Sequence, residues 1–236
     1  IQPQTFTLSV SKGGTGTGTV TSNPTGINCG ADCSENYPPN TQVTLSASPA
    51  GGSTFTGWSG GGCSGTGTCT VTMSAATAVT ANFTLGNYVL TVNKAGTGSG
   101  TVTSNPTGIN CGSTCSYNFT YNTVVTLTAA ASTGSTFTGW SGGGCSGTGT
   151  CIVTMTAATM VTANFNIQTP ILTVSKTGTG SGTVTSSPSG INCGSTCSYA
   201  FTYNTTVTLT ATPTSGHTFA GWRSEEHTSE LQSPNT

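Results

Sequence analysis

The landmark residues of this sequence recur at an interval of 82 residues. Trp58, Trp140 and Trp222 are separated by this interval, and the cysteines keep the same spacing. A period this long is typical of tandem domains that each complete a fold of their own, and not of the short coils of a solenoid. The sequence therefore predicts one unit copied two and a half times, with repeat 1 at residues 1–86, repeat 2 at 87–168 and a truncated repeat 3 at 169–222.

Threonine alternates with apolar residues throughout each copy. Stretches such as TFTLSV, QVTLSA and AVTANF have the period of two that is typical of half-buried β-strands, and helix signals are essentially absent. The segments between them are rich in Gly, Pro, Asn and Ser, which favour turns. The pattern predicts an all-β fold of tandem small β-sandwich or β-grasp-like repeat domains of 82 residues. In repeat 1 we expect strands near residues 5–10, 18–22, 34–37, 42–47, 53–58, 69–73 and 78–83.

Large apolar residues on one face of these strands are expected to form the core of each repeat. A small β domain commonly anchors its core on one tryptophan, although an indole face can also stack on a sugar ring. We favour the core role. The aromatic core residues are then expected to be Trp58, Trp140, Trp222, Phe55, Phe137, Phe83 and Phe165.

The ten cysteines follow a C-x3-C and then a C-x5-C spacing in each complete copy, and repeat 3 holds the first pair alone. This grouping favours local disulfides, whereas longer cross-pairs and a zinc site remain alternatives; structural zinc sites prefer C-x2-C knuckles. Disulfides would imply an oxidising compartment, so we expect a secreted or cell-surface protein. The predicted pairs are Cys29 with Cys33, Cys63 with Cys69, Cys111 with Cys115, Cys145 with Cys151, and Cys193 with Cys197.

The last fourteen residues, RSEEHTSELQSPNT, break the pattern of the repeats. They hold four of the nine charged residues of the chain. Residues 223–233 resemble the translation of a common sequencing adapter, so we interpret residues 223–236 as foreign, unstructured sequence; the alternative is a genuine short polar tail. The chain also begins at Ile1 without a start Met or a signal-peptide pattern, and we expect it to be a fragment at both ends.

Residues 1–222 carry very little charge. Lys12, Lys94 and Lys176 are balanced by Asp32 and Glu35, which gives a net charge of +1 (three minus two). Such a chain lacks the basic patches that bind nucleic acid, and no apolar run reaches the roughly 20 residues needed to span a bilayer. We therefore expect neither nucleic acid nor a membrane as a partner of these residues. The lysines, which also recur every 82 residues, are interpreted as strand-end residues that guard a sheet edge.

Repeat 2 contains no Asp, Glu or His. Acid–base and nucleophilic catalysis need such groups beside the reacting atoms, and calcium needs several carboxylate oxygens. We therefore expect no enzyme activity, no catalytic or metal-binding residue and no cofactor.

A stripe of aromatic residues forms the one candidate ligand surface besides the tryptophans. The stripe is Tyr117, Phe119 and Tyr121 in repeat 2, and it recurs in repeat 3. Repeat 1 has Glu35, Tyr37 and Pro39 at these positions, so the stripe is not expected to be needed by the fold. The weak candidates for ligand binding are Tyr117, Tyr121, Tyr199 and Tyr203.

Five sequence blocks occur in a fixed order in the copies: GTVTSNPTGINCG, VTLTA, FTGWSGGGC, C-x-VTM-x-AA and VTANF. With them, residues 5–222 resemble the divergent internalin-type B repeats of bacterial exported proteins. The resemblance implies a small β-rich module arrayed in secreted or surface proteins, and it carries over no catalytic residues. It favours a spacer or adhesion stalk that meets a host or environmental surface or a glycan. The alternative is a carbohydrate-binding accessory array of a secreted hydrolase.

Overall fold

The structure, a computed structural model, describes residues 3–223, and this part of the chain consists of strands and turns without a helix. All seven strands predicted for repeat 1 are present, which confirms the all-β prediction. The strands of repeat 1 are β1 (Phe6–Gly13), β2 (Gly18–Asn23), β3 (Ser34–Tyr37), β4 (Gln42–Pro49), β5 (Ser53–Gly60), β6 (Cys69–Thr72) and β7 (Thr77–Leu85).

Repeat 2 contains the same seven strands, and the described part of repeat 3 contains four. The strands of repeat 2 are β8 (Asn87–Ala95), β9 (Gly100–Asn105), β10 (Ser116–Thr120), β11 (Val124–Ala131), β12 (Ser135–Ser141), β13 (Cys151–Thr154) and β14 (Thr159–Ile167). Those of repeat 3 are β15 (Ile171–Thr173), β16 (Gly182–Ser187), β17 (Ser198–Ala200) and β18 (Thr208–Pro213).

Each complete repeat is a sandwich of a four-stranded and a three-stranded sheet. In repeat 1 the strand orders are β3-β1-β7-β5 and β2-β4-β6, and repeat 2 has the same two orders in its own strands. The pairs of β1 with β7 and of β8 with β14 run parallel, and the other strand pairs of repeat 1 are antiparallel. Residues of both sheets form one core, so the β-sandwich is the correct one of the two predicted architectures.

The alternation of buried and exposed residues along the strands builds this core. Phe83 and Phe165 are fully buried, and Trp58 and Trp140 are buried as well. Phe55 and its counterpart Phe137 are half-buried and pack against the core, with each phenylalanine about 5.0 Å from the neighbouring tryptophan ring. These residues lie where the sequence predicts them.

The prediction that Trp222 belongs to the core is wrong. Its side chain is 51% exposed, whereas Trp58 and Trp140 are each 5% exposed. Trp58 lies opposite Ala81 of β7, and its indole nitrogen donates to the Gly67 oxygen in the loop after β5. The described part of repeat 3 ends at Arg223, before the counterparts of that loop and of β7, so it does not supply these contacts to the third tryptophan.

The described chain divides by its contacts into two compact units, one that ends at Asn166 and a second that begins at Ile167. The first unit holds repeats 1 and 2, and the predicted boundary after residue 86 falls between β7 and β8. Apart from Arg223, the predicted foreign tail lies outside the described residues. No helix that could cross a membrane is found among residues 3–223.

Candidate functional surface

The predicted aromatic stripe of repeat 2 separates into residues with different surroundings. Phe119 is buried, and its counterparts Tyr37 and Phe201 are buried too, so this position belongs to the core of every repeat. The view that the whole stripe is unnecessary for the fold is therefore wrong at its middle position. Period-two spacing indicates a shared face of a strand, but it does not show how far along that face the second sheet extends.

Tyr117 is the exposed aromatic residue of this stripe. Its ring lies on Gly108, where a Cβ atom would overlap it, and its centroid is 4.9 Å from that of Phe119. The side chain nevertheless remains 46% exposed. A ring that is held by its neighbours and still open to solvent can offer an apolar surface to a ligand.

Repeat 3 presents the same arrangement. Tyr199 lies on Gly190, its centroid is 4.9 Å from that of Phe201, and it is also 46% exposed. In repeat 1, Glu35 occupies this place and lies against Gly26. Two of the three copies therefore carry an aromatic platform, and one carries a carboxylate.

Tyr121 does not join Tyr117 in one surface. It follows the end of β10, is half-buried, and lies on Gly52 in the turn between β4 and β5 of repeat 1. Tyr203 is 39% exposed, and its backbone N–H donates to the oxygen of Gln168. The four candidate tyrosines thus occupy two kinds of position: Tyr117 and Tyr199 lie on a glycine of their own repeat, whereas Tyr121 and Tyr203 follow the end of the third strand.

All five predicted disulfides are present in the structure, and the described residues include no free cysteine. The bonded sulfur atoms are not available as zinc ligands, and no group of three or more His, Cys, Asp or Glu residues that could hold a metal occurs among residues 3–223. The first cysteine of each C-x3-C pair is fully buried, so these disulfides are part of the core. The pairs are those between Cys29 and Cys33, Cys63 and Cys69, Cys111 and Cys115, Cys145 and Cys151, and Cys193 and Cys197.

The glycine-rich loop after β5 is fastened at two points. The disulfide between Cys63 and Cys69 closes it, and the indole nitrogen of Trp58 donates to the Gly67 oxygen at 2.6 Å. Repeat 2 repeats this bond from Trp140 to Gly149 at the same distance. The predicted core tryptophan therefore also organises the loop.

The recurring lysines have a role that the sequence did not reveal. Lys12 lies near the end of β1, an interior strand, and its Nζ atom donates to the Gly18 oxygen at 3.1 Å. Lys94 and Lys176 make the same bond to the glycine six residues further on. Each lysine thus bridges the turn between the first two strands of its repeat. The interpretation as an edge-guarding residue is wrong for Lys12 and Lys94, because β1 and β8 are interior strands of their sheets.

Comparison with known proteins places almost the whole chain in one family. Residues 6–87, 88–169 and 172–236 each match the model of the divergent InlB B-repeat domain. The first two matched segments coincide with repeats 1 and 2, and the third covers repeat 3 together with the residues predicted to be foreign, up to residue 236. No curated protein sequence matches the chain.

Two solved structures match the chain at low sequence identity. The Bacillus anthracis TIE protein is 8% identical with a TM-score of 0.50, and the match covers 89% of this chain and 43% of that one. The major pilin protein (T-13) from Streptococcus pyogenes is 12% identical with a TM-score of 0.34, and the match covers 71% of this chain and 98% of the pilin. The chain thus spans less than half the length of the first protein, and this likeness concerns the fold alone.

Proposed function

Since the chain belongs to the divergent InlB B-repeat domain family, we propose that it is a non-enzymatic, exported bacterial repeat protein whose tandem β domains form a cell-surface spacer or adhesion stalk. The observation that carries this proposal is the direct succession of complete sandwiches, each with its own two disulfides. Only Gly86 separates β7 of repeat 1 from β8 of repeat 2. Repeats joined in this way extend a chain without a long flexible linker.

The disulfides support the proposed location. A domain of this size buries a modest core, and small exported domains often add covalent links to offset the entropy of the unfolded chain. By the chain-entropy estimate, each short loop closed here contributes about 2 kcal/mol. Five disulfides and the family assignment both fit an extracellular protein, where such bonds persist.

The composition supports a non-enzymatic role. In residues 3–223 the acidic side chains are Asp32 and Glu35, both in repeat 1. A function shared by the copies would have to use groups that all of them contain, and these are hydroxyl groups, amides, a lysine, backbone and aromatic rings. None of the shared hydroxyl groups lies beside a histidine that could activate it within repeats 1 and 2, because these repeats contain no histidine.

The spacer function can be tested by the reach of a displayed ligand. The chain is placed between a bacterial surface anchor and a small binding domain, and capture of a partner from an opposing surface is measured. We expect capture to fall when residues 88–169 are deleted. A second copy of residues 6–87, put in place of the deleted repeat, serves as the control and should restore capture, because both segments match the same domain family. Capture that is unchanged by the deletion, or that this second copy does not restore, would contradict the spacer role.

Tyr117 and Tyr199 favour a second candidate function, the carbohydrate-binding array of a secreted hydrolase. Both rings are held on a glycine and remain nearly half exposed, as a sugar-stacking platform requires. A panel of immobilised glycans tests this candidate with the wild-type chain and with Tyr117→Ala combined with Tyr199→Ala. Val124→Ala, a change at a 55% exposed residue on the other sheet, serves as the control. Binding that survives the loss of both tyrosines, or no binding by the wild type, would reject the candidate.

A further inference from the structure

The end of repeat 1 next to repeat 2 presents a surface made of three glycines. Gly51 and Gly52 form the turn between β4 and β5, and Gly86 is the single residue between β7 and β8. The Gly86 N–H donates to the Gly52 oxygen at 2.7 Å, which ties the turn to the linker. Gly52 has a φ of 71°, in the left-handed region that glycine adopts without strain. The three residues, here called the glycine surface, offer bare backbone to whatever lies on them.

Tyr121 of repeat 2 lies on the glycine surface. Its ring covers the Cα atom of Gly52 so closely that a Cβ atom there would overlap the ring, and a Cβ on Gly51 would be 3.3 Å from the phenol oxygen. The backbone N–H of Tyr121 donates to the Gly86 oxygen at 2.8 Å. The ring of Tyr88 lies 6.1 Å away, within the range of aromatic pair contacts. Tyr121 therefore contacts both repeats at once.

A single repeat does not need this tyrosine for its fold. Tyr121 comes after the end of β10 and lies outside the buried core of repeat 2. Repeat 1 has Pro39 at the same position, a residue with neither an aromatic ring nor a backbone N–H, and its sandwich is complete. Gly86, in contrast, makes hydrogen bonds to both neighbouring repeats through its N–H and its carbonyl oxygen.

We propose that the glycine surface is a docking site for the tyrosine that follows the third strand of the next repeat, and that this joint fixes the angle between repeats 1 and 2. Domains that share a short linker but no interface move relative to each other by default. Here a buried ring face and two backbone hydrogen bonds oppose that motion. The joint is independent of the proposed function, since repeats could be rigidly joined in any extracellular array.

The test replaces Gly52 by alanine and measures the spread of distances between the two repeats. Spin labels are carried on non-canonical residues at the exposed positions Ser46 and Thr128, which are equivalent in repeats 1 and 2, so the cysteines stay untouched. The full chain is expected to give a narrow distance distribution. Gly52→Ala should broaden it roughly two-fold or more, because domain motion is no longer restrained.

The control is Gly65→Ala. Gly65 has a φ of 72°, so alanine there suffers the same backbone strain, but a Cβ at Gly65 meets no atom within 4 Å. This variant should keep the narrow distribution. The joint is refuted if Gly52→Ala stays as narrow as the wild type, or if Gly65→Ala broadens the distribution equally.

A second pair of variants covers the case in which Gly52→Ala folds poorly. Tyr121→Ala removes the ring and leaves the backbone of both repeats unchanged, and it should also broaden the distribution. Tyr117→Ala, four residues earlier, removes a ring that lies on Gly108 within repeat 2, and it should not. Equal distributions for Tyr121→Ala and Tyr117→Ala would count against the joint.

Discussion

At the scale of single residues, the tryptophan of each complete repeat combines two contacts. Trp140 fills the core, and its indole N–H donates to the Gly149 oxygen. We predict that Trp140→Phe lowers the free energy of unfolding of the first unit by about 1–3 kcal/mol, since it removes buried area and leaves a carbonyl without its donor. Urea unfolding followed by circular dichroism measures the loss. Trp222→Phe, at a tryptophan that is 51% exposed, should change the unfolding curve little. An equal loss of stability from both variants would contradict the stabilising role of the buried tryptophan.

Single residues also show which side-chain roles a sequence pattern can predict. Phe83 and Trp58 could be placed in the core because an alternating strand has a buried face and large apolar residues occupy it. Trp222 has a similar local sequence, with Phe219 and Gly221 before it as in the other copies, yet it is exposed. Burial depends on the loop and the strands around the ring, and these come from residues further along the chain. The bond from Lys12 to Gly18 was missed for a related reason, because charge and spacing do not show which carbonyl a flexible lysine reaches.

At the scale of elements, the two disulfides of a repeat fasten different connections. The C-x3-C pair closes the connection between the second and third strands, and the C-x5-C pair fastens the loop after the fifth strand to the sixth. We predict that replacing Cys145 and Cys151 together by alanine lowers the free energy of unfolding by about 2 kcal/mol or more. Part of this loss of stability comes from the packing contacts of the Cys151 side chain, because that residue is buried. Urea unfolding of the wild type and of the double variant, each with and without a reductant, separates the crosslink from the packing, because the difference in stability that persists under the reductant comes from packing alone. A difference that the reductant does not change would show that this crosslink itself contributes nothing.

The existence of the strands could be predicted from the sequence, but their neighbours could not. All seven strands of repeat 1 lie where Thr/apolar alternation and Gly-rich turns place them. The parallel pairing of β1 with β7 joins the first and last strands, and no local signal specifies it. The pairing of β5 with β7 also shifts register between Phe55 and Gly57, where Gly57 adopts a φ of 137°. Such a bulge inserts one residue into the pattern, and this changes the side of the sheet that each residue faces.

At the scale of the whole molecule, repeat 3 shows what the last strands of a repeat contribute. In repeat 1, Met73 is fully buried, its N–H donates to the Thr41 oxygen, and its oxygen accepts from Asn40. The counterparts of Asn40 and Thr41 are Asn204 and Thr205, and they line an open depression of about 300 Å³. The described part of repeat 3 ends before the counterpart of that methionine. The depression therefore corresponds to the place that Met73 and Met155 fill in the complete repeats.

We predict that repeat 3 becomes a complete sandwich when residues 141–167 are placed directly after Trp222. The copied Met155 should fill the depression, and the copied β14 should pair in parallel with β15, because Val161 of β14 pairs with Val92 of β8 in this way in repeat 2. Burying that methionine alone should stabilise the repeat by about 1.5–3 kcal/mol. The copied Gly149 also supplies an acceptor for the Trp222 indole N–H, so hydrogen exchange of this group, measured by NMR, should slow to the rate of Trp140. The control is the same extension in which only the added copy of Val161 is replaced by Asp. Exchange of the Trp222 indole N–H should then stay fast, since a carboxylate cannot be buried there without a partner. Fast exchange in both extended chains would show that these residues do not complete the repeat.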